Sequence, residues 1–331
     1  MADLRSQLVE VFNDTQRFYT EDATLAAAVK YGRDHTVLYE AEDYPKLPVL
    51  GIDEALWKIA DNPDGSFSAQ GAAAEAIARI EAGEDDVPVD RIQEVRVTKH
   101  KTFEAAIALH KEFPGKKIAV LNFASATRPG GGVKTGSRAQ EESLCRCSTL
   151  FPTLDRRWLW QKYYDVNRAA HDVRHTDACI YSPGVVICKT DEDIPARMKP
   201  EDFVTVDVIS CAAPNLRDKP SNGHNTETGT AIQMPEMALF ELHLKRAKHI
   251  MHVAAANKVD ILVLGAFGCG AFANDPKVVA KAYCAALVNF RARFDVIEFA
   301  IYCRDYETEN YDAFKSVPWS WVFSNRIEPV E

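Results

Sequence analysis

The chain has 331 residues, of which 47% are hydrophobic and 26% charged. These proportions are typical of a folded globular protein and exclude wholesale disorder, and the length allows one large domain or two smaller ones. The net charge of −9 argues against a surface for nucleic acid, because such surfaces need clustered lysine and arginine. We therefore predict no direct sequence-specific nucleic-acid binding, and we expect backbone amides to hold any phosphate-bearing ligand locally.

The N-terminal sequence, MADLRSQLVEVFNDTQRFY, carries charges throughout and lacks the apolar core and small-residue cleavage site of a secretory signal. No apolar run is long enough to cross a bilayer. We expect an intracellular protein without membrane attachment, located in the cytoplasm or, in a eukaryote, in the nucleus. We also expect a monomer, since no coiled-coil repeat or exposed apolar stripe is evident.

Residues 1–92 are predicted to form a mostly helical accessory segment, with the strongest helical pattern over residues 69–86. Proline, glycine and clustered acids predict loops at residues 61–66 and 83–90. The character changes near Val95, so we divide the chain into the segment 1–92 and a core of residues 93–331.

The core alternates short β-branched runs with helical segments. The runs are VRVT, KIAVLNF, ACIYSP, GVVICK, FVTVDVIS, DILVLGAF and VIEFAIY. Runs that are apolar on both faces belong to a largely buried sheet covered by helices. The sequence therefore predicts an α/β architecture.

Two helices of this core can be predicted from spacing. Asp275 and Pro276 have the residue types preferred at a helix N-cap and at the first helical position. An earlier helix follows Pro235, where apolar residues recur at intervals of three and four and so share one buried face. These residues are Met237, Phe240, Leu244, Ala247, Met251 and Ala254.

The cysteines and histidines do not predict a metal site. The eight cysteines are scattered among apolar segments, which favours buried, reduced thiols over a disulfide framework. Cys145 and Cys147 form a C-x-C pair, but no second pair accompanies it. His249 and His252 lie three residues apart on a predicted helix, and without a third ligand nearby we assign them to a solvated face. We expect no metal and no other cofactor.

One glycine-rich loop lies between the predicted strand DILVL and the helix that begins at Pro276. Gly265, Gly268 and Gly270 would allow backbone amides to approach an anion at the helix N-terminus, which favours phosphate binding over a simple tight turn. The sequence contains no P-loop, and GCGAFA fails the G-x-G-x-x-G dinucleotide pattern at its last position.

A second glycine-rich loop, ASATRPGGG, follows the predicted strand KIAVLNF and precedes QEESLCRCSTLF. Glu141 and Glu142 would lie in the first turn of a helix, where the helix dipole stabilises acidic residues, so on their own they fit a solvated pair. Two such loops, each after an apolar strand, instead favour a ligand crevice at the carboxyl ends of a sheet.

Four motifs in order, VLNFASATRPGGGVKTGSRAQEESLCRCSTLF, YSPGVVICK, VISCAAPN and VLGAFGCGAFANDP, closely resemble the microbial-type poly(ADP-ribose) glycohydrolases. The family signature is a GGG loop followed by QEE, and the resemblance extends from about Val95 to the C-terminal FAIYCRDYETENYDAF. It implies a macrodomain-like three-layer α/β/α fold with a mixed central sheet, here with an N-terminal helical extension. It also implies ADP-ribose as the ligand, no metal, and a role in reversing ADP-ribosylation, including in the DNA damage response.

The resemblance also implies residue roles. Glu142 would be the catalytic acid, Glu141 would hold the ribose hydroxyls, and Phe272 would pack on the terminal ribose. Gln140 would support the loop. The remaining implied substrate-binding residues are Gly130, Gly131, Gly132, Val133, Gly265, Ala266, Phe267, Gly268, Cys269, Gly270 and Ala271.

These residue types suit hydrolysis of a ribosyl O-glycosidic bond, because a buried glutamic acid can protonate the leaving oxygen. Adjacent residues diverge by about 100° on a helix, so we expect one carboxyl group to do most of the proton transfer. Water would be activated by Glu142 or by a substrate phosphate. Lys134 and Arg138 would either meet phosphate or face solvent. Residues 51–91 read as an insertion that would either shape substrate access or form inert surface.

The function predicted from this resemblance is release of ADP-ribose from poly(ADP-ribose), mainly at chain ends, with the polymer or ADP-ribosylated macromolecules as substrate. The alternatives are a mono-ADP-ribosyl hydrolase acting on protein or nucleic-acid conjugates and a non-catalytic ADP-ribose-binding module. The intact triplet from Gln140 to Glu142 argues against the binding module, because carboxylates beside the ligand would repel its phosphates.

Overall fold

The computed structural model describes residues 3–40, 94–221, 229–288, 290 and 293–319. The predictions for residues 51–91, including the helix at 69–86, lie outside this part of the chain. In the described ranges no helix combines the length and the apolarity that a membrane span requires. The division of the chain at residues 92 and 93 stays a prediction.

Seven strands form one mixed sheet in the order β1-β4-β5-β3-β6-β7-β2. The strands are β1 (Val37–Tyr39), β2 (Glu94–Thr98), β3 (Ile118–Phe123), β4 (Cys179–Ile187), β5 (Val204–Cys211), β6 (Ile261–Leu264) and β7 (Val296–Ala300). Strand β4 is antiparallel to β1 and to β5, whereas β5, β3, β6, β7 and β2 run parallel to one another. The predicted mixed α/β fold is confirmed.

Helices cover both faces of this sheet. They are α1 (Leu4–Glu21), α2 (Ala23–His35), α3 (Thr102–Glu112), α4 (Gln140–Cys147), α5 (Phe151–Leu154), α6 (Arg157–Leu159), α7 (Asp165–Ala170), α8 (Glu236–Ala256), α9 (Pro276–Val288) and α10 (Glu309–Lys315). A π-helical turn, Trp160–Tyr164, joins α6 to α7, and single 3-10 turns lie at Val133–Thr135 and Pro200–Asp202.

The core is divided by the sheet into two layers. Ala119 and Leu121 of β3 pack with α8 and α9 on one face, whereas Ile118 and Val120 pack with α1, α3 and α4 on the other. This alternation follows from the two-residue period of a strand, and it explains why β3 is apolar on both sides. The three-layer arrangement is therefore a direct consequence of strands that are apolar throughout.

The runs ACIYSP and GVVICK form one strand, β4, rather than two. The pairing with β5 shifts register between Ser182 and Val185, so the strand carries a bulge. Gly184 in the bulge has a φ of +68°, and its N–H donates to Asp207 Oδ1 at 2.8 Å. Pro183 and Gly184 therefore mark an irregularity within one continuous strand.

Helix α1 is fixed to the core by contacts along its length. Asp3 caps it by accepting from the Ser6 N–H at 2.7 Å. Phe12 packs edge-to-face on Phe151, with ring centroids 5.0 Å apart. The Thr15 hydroxyl donates to the backbone carbonyl of Arg146 in α4 at 2.6 Å. The N-terminal helix is thereby held against the helix that carries the two glutamates.

The spacing predictions for α8 and α9 are confirmed with one exception. Asp275 caps α9 by accepting from the Lys277 N–H at 2.8 Å, and Pro276 is the first helical residue. On α8 five of the six predicted apolar residues are buried, but Met237 is 41% exposed. Met237 lies in the first turn of α8, just before the buried part of the helix begins at Leu239.

The prediction that His249 and His252 face solvent is wrong. Both are buried, because the second half of α8 is covered by other elements as well as by the sheet. His249 Nε2 lies 3.2 Å from the backbone oxygen of Tyr39, and the His252 ring packs edge-to-face on Phe290. Burial, then the nearby charges, lowers the pKa of His252 to about 4.

Candidate active site

The two glycine-rich loops are brought together by the parallel part of the sheet. Strands β3 and β6 are neighbours and run in the same direction, so the loops that follow them leave the same edge. A cavity of about 600 Å³ lies at this edge, lined by residues of both loops and of α4. This is the position at which ligands bind in open α/β sheets.

Gln140 fixes the beginning of α4 against the end of β3. Its Oε1 accepts from the Phe123 N–H at 2.8 Å, and its Nε2 donates to the Leu121 carbonyl at 2.7 Å and to the Thr102 hydroxyl at 3.0 Å. The first turn of α4 therefore has one fixed position relative to the end of β3. Glu141 and Glu142 follow directly in this turn, so their backbone positions are fixed as well.

Glu141 and Glu142 are only 3% and 7% exposed, so the view of them as a solvated pair is wrong. The Ser125 N–H donates to Glu141 Oε2 at 2.7 Å, and Asn122 Nδ2 lies 3.4 Å from Glu141 Oε1. Both partners belong to β3 or to the loop after it. Glu141 is thus held by the strand end that precedes the glycine-rich turn.

Glu142 is held on one side only. Its Oε1 accepts from the Gly132 N–H at 2.8 Å, whereas its Oε2 is buried and has no hydrogen-bond partner in the described part of the chain. Glu142 also lines the cavity. Because buried polar atoms are nearly always paired, an orphan carboxyl oxygen at a cavity points to a ligand that completes it.

Gly131 lies against both carboxyl groups. Its φ is +53°, and a Cβ there would come within 2.5 Å of Glu142 Oε1 and 3.1 Å of Glu141 Oε2. Only glycine combines this left-handed conformation with so close an approach. Although the two side chains diverge along α4, they meet at the same turn.

Burial of the two carboxyl groups disfavours the ionised form of Glu141. Burial, followed by repulsion from the Glu142 carboxylate, raises the pKa of Glu141 to about 8. At neutral pH the Glu141 carboxyl group therefore keeps its proton. The site can therefore both donate a proton and hold a negative charge.

We predict a stability cost for ionising this pair. Glu141 has an ordinary pKa of 4.5 that is raised to about 8 in the folded protein, so between these values the folded state binds a proton that the unfolded state has released. The free energy of unfolding should therefore fall by a few kcal/mol as pH rises through this window. Urea unfolding at pH 5 to 8 measures it. Glu141→Gln should remove most of the decline, and equal slopes for both proteins would contradict the prediction.

The loop after β6 is organised by Asn274, a residue that the sequence did not single out. Its Nδ2 donates to the carbonyls of Pro214 at 2.8 Å and Gly268 at 3.0 Å, and its Oδ1 lies 2.8 Å from His243 Nε2. Because the amide nitrogen is occupied as a donor, Oδ1 must accept from His243. Asn274 thereby ties the glycine loop to the loop after β5 and to α8.

Phe272 is half-buried at the far end of this loop. The Arg217 guanidinium lies 5.7 Å from the ring centroid, and the His175 ring is 6.0 Å away. The Phe272 carbonyl accepts from the Leu216 N–H at 2.9 Å. The aromatic side chain is therefore positioned at the cavity by contacts with the loop after β5.

Most of the predicted site residues meet at the cavity. Ten of them line it: Gly131, Gly132, Gln140, Glu141, Glu142, Ala266, Gly268, Gly270, Ala271 and Phe272. Five do not line it: Gly130, Val133, Gly265, Phe267 and Cys269. Val133 and Phe267 are fully buried in the core, where they anchor the two loops. The part that these five play in substrate binding stays a prediction.

Several cavity residues are not indicated by any pattern in the sequence. They include Arg5, Lys101, Ser125, Arg217, Tyr302 and Arg304. Asn122, which contacts Glu141, was detectable in principle, because a fully buried asparagine within the apolar run VLNF requires a polar partner. Arg5 and Arg217 come from distant segments, and nothing in their local sequence indicates a site.

The cysteines contribute no ligand set. All eight are free thiols, and Cys145 and Cys147 are buried within α4. Among the residues that the structure describes, no group of three or more His, Cys, Asp or Glu side chains has an arrangement that could hold a metal ion.

Comparison with known proteins identifies the family. The model of the microbial-type PARG catalytic domain matches residues 13–190, more than half of the chain. The chain belongs to the microbial-type PARG family. The match begins within α1 and ends just after β4, so it includes the GGG loop and both glutamates. No curated protein matches the chain significantly.

Solved structures of this family share the fold. Poly(ADP-ribose) glycohydrolase (PARG) from Thermomonospora curvata is 26% identical, with a TM-score of 0.67, and the match covers 94% of this chain and 99% of that one. The structure of the same enzyme bound to the inhibitor ADP-HPD is 25% identical, with a TM-score of 0.65, and the match again covers 94% of this chain and 99% of that one. PARG from Deinococcus radiodurans, in complex with ADP-ribose, is 30% identical, with a TM-score of 0.63 over 89% and 98% of the two chains.

Proposed function

We propose that this protein is a poly(ADP-ribose) glycohydrolase that hydrolyses ribose–ribose O-glycosidic bonds and releases ADP-ribose. The observation that carries the proposal is Glu142 Oε2, a buried carboxyl oxygen without a partner in the described structure, at a cavity between two glycine-rich loops. Membership of the family and the resemblance to a PARG that holds ADP-ribose support this substrate class.

In this proposal the glycine-rich loops bind the diphosphate. Gly268 in its left-handed conformation lets backbone amides of the loop after β6 approach an anion, and Gly131 and Gly132 of the loop after β3 also line the cavity. Amides suit this task in a chain with a net charge of −9, because they bind phosphate without a cluster of cations.

Glu142 is the proposed general acid. Its carboxyl group transfers a proton to the leaving ribose oxygen as the C1–O bond breaks, and the sugar acquires oxocarbenium character. A water molecule then adds its hydroxyl to C1 and gives up its second proton. The acceptor of that proton is Glu142, now ionised, or a phosphate of the substrate. Burial, followed by the Glu142 carboxyl group, raises the pKa of Glu141 to about 8, so a proton is held beside Glu142 at neutral pH.

Glu141 is the proposed ligand of the ribose hydroxyl groups. It is fixed by Ser125 and Asn122 and shares the Gly131 turn with Glu142, so a ribose bound to one carboxyl group lies within reach of the other. Phe272 is proposed to pack on the terminal ribose, which favours cleavage at chain ends. The protein would act inside the cell as a monomer in reversing ADP-ribosylation.

The test is an analysis of reaction products. The purified protein is incubated with poly(ADP-ribose) and, separately, with a mono-ADP-ribosylated protein, and the released species are resolved by chromatography. We expect free ADP-ribose from the polymer. Release from the modified protein alone would make the enzyme a mono-ADP-ribosyl hydrolase, and tight binding of ADP-ribose without release from either would make it a binding module.

A further inference from the structure

One wall of the cavity is formed by the beginning of α1 and the loop that leads into α4. This α1 wall consists of Arg5, Leu8, Ser137, Arg138 and Arg146. Phe12 of α1 packs in the core layer on one face of the sheet, whereas Phe272 packs against the layer on the other face. The α1 wall and the Phe272 side therefore belong to different layers.

The α1 wall is fixed in place by backbone contacts. Gly136 has a φ of +73°, and a Cβ there would come within 2.5 Å of the Arg5 carbonyl oxygen, so the first turn of α1 lies directly against the loop. Arg146 is buried and donates from Nη1 to the Ser137 carbonyl at 2.6 Å. Ser137 in turn lies against Gly132, whose N–H binds Glu142.

Two cations in this loop differ in what they contact. Lys134 lies over the Phe151 ring at 5.0 Å and 3.5 Å from Asp155, and it does not line the cavity. Arg138 is exposed and lines the cavity, and no hydrogen bond or ion pair involves it within the described ranges. Of these two residues, for which the sequence allowed the same two roles, only Arg138 lies at the cavity.

The charge on another part of the cavity rim is unfavourable for phosphate. Lys101 lies there, but its ammonium group is 3.9 Å from Asp191 Oδ1, and Glu192 and Asp193 line the same rim. An anionic ligand that extends out of the cavity would be repelled by these acids and attracted by the guanidinium groups of Arg5 and Arg138.

We propose that the α1 wall, through Arg138 and Arg5, binds the phosphates of the leaving part of the substrate, the penultimate ADP-ribose unit of the polymer. This inference rests on the proposed function, because it assumes that the terminal unit occupies the glycine-rich loops. The oxygen that Glu142 protonates belongs to a ribose of the penultimate unit, and the same ribose carries that unit's diphosphate. Guanidinium groups suit this ligand, since their planar donors match phosphate oxygens.

The experiment compares Arg138→Ala with the wild-type protein and with Lys134→Ala, which removes a cation from the same loop but outside the cavity. Two quantities are measured: kcat/KM on poly(ADP-ribose) at low and high salt, and affinity for free ADP-ribose by calorimetry. Arg138→Ala should lower kcat/KM about tenfold at low salt, with a smaller loss at high salt. The affinity of Arg138→Ala for ADP-ribose should stay unchanged. Lys134→Ala should match the wild type in kcat/KM and in ADP-ribose affinity.

The contrary results are distinct. An equal loss of kcat/KM and of ADP-ribose affinity in Arg138→Ala would place this residue on the terminal unit and overturn the leaving-group site. Unchanged kcat/KM in both Arg138→Ala and Arg5→Ala/Arg138→Ala would overturn it as well. If the wild-type protein bound ADP-ribose but did not cleave the polymer, the proposed function itself would fail, and the leaving-group site with it.

Discussion

Glu142→Gln is expected to reduce turnover of poly(ADP-ribose) by about 10³-fold, within the range usual for loss of a general acid. Glutamine has the same size and keeps an oxygen that can accept from the Gly132 N–H, but it has no proton to give to the leaving oxygen. Affinity for ADP-ribose should therefore stay within a few-fold of the wild-type value. Steady-state kinetics and calorimetry measure the two quantities.

The matched control for this variant is Glu192→Gln, which removes one carboxylate from the exposed rim of the same cavity. It should retain turnover, because its carboxyl group is exposed at the rim rather than held at the glycine-rich turn. If Glu142→Gln kept full activity, or if both variants lost activity equally, the assignment of Glu142 as the acid would be wrong.

Gly268→Val is expected to weaken ADP-ribose binding by about 10- to 100-fold, from a strain of about 1–3 kcal/mol at the loop. Gly268 has a φ of +79°, and a Cβ there would lie 2.7 Å from the Ala213 side chain and 2.8 Å from Asn274 Nδ2. Valine would therefore displace the loop and disturb the hydrogen bonds by which Asn274 holds it. Titration calorimetry with ADP-ribose measures the loss.

Gly115→Val controls for backbone strain alone. Gly115 also has a positive φ, +82°, but a Cβ there meets nothing within 4 Å, and it does not line the cavity. Thermal unfolding shows whether each variant is folded, and Gly268→Ala provides a milder change if valine prevents folding. A Gly268→Ala protein that is folded and binds ADP-ribose with wild-type affinity would show that this loop does not hold the diphosphate.

The local features of the fold follow from the sequence by itself. The spacing of apolar residues predicted α8, and Asp275 with Pro276 predicted the start of α9, because helix periodicity and capping depend on neighbouring residues. Strands apolar on both faces predicted the buried sheet, and glycines after two of them predicted the edge at which the cavity lies. Four motifs in order, with GGG and QEE in the first of them, carried the resemblance to the family that the comparison then identified.

The environment of those residues was decided only by the tertiary structure. The sequence read alone allowed Glu141 and Glu142 to be solvated, but strand β3 and the glycine-rich turn bury them and raise the pKa of Glu141. His249 and His252 were assigned to a surface that other elements in fact cover.

Lys134 and Arg138 were equivalent in sequence, and the packing of α1 and α5 around their loop placed only one of them at the cavity. Burial and charge at a given side chain depend on segments that are distant in sequence. Composition and periodicity therefore predicted where the elements form, whereas the packing of α1, β3 and the loops determined what the site residues contact.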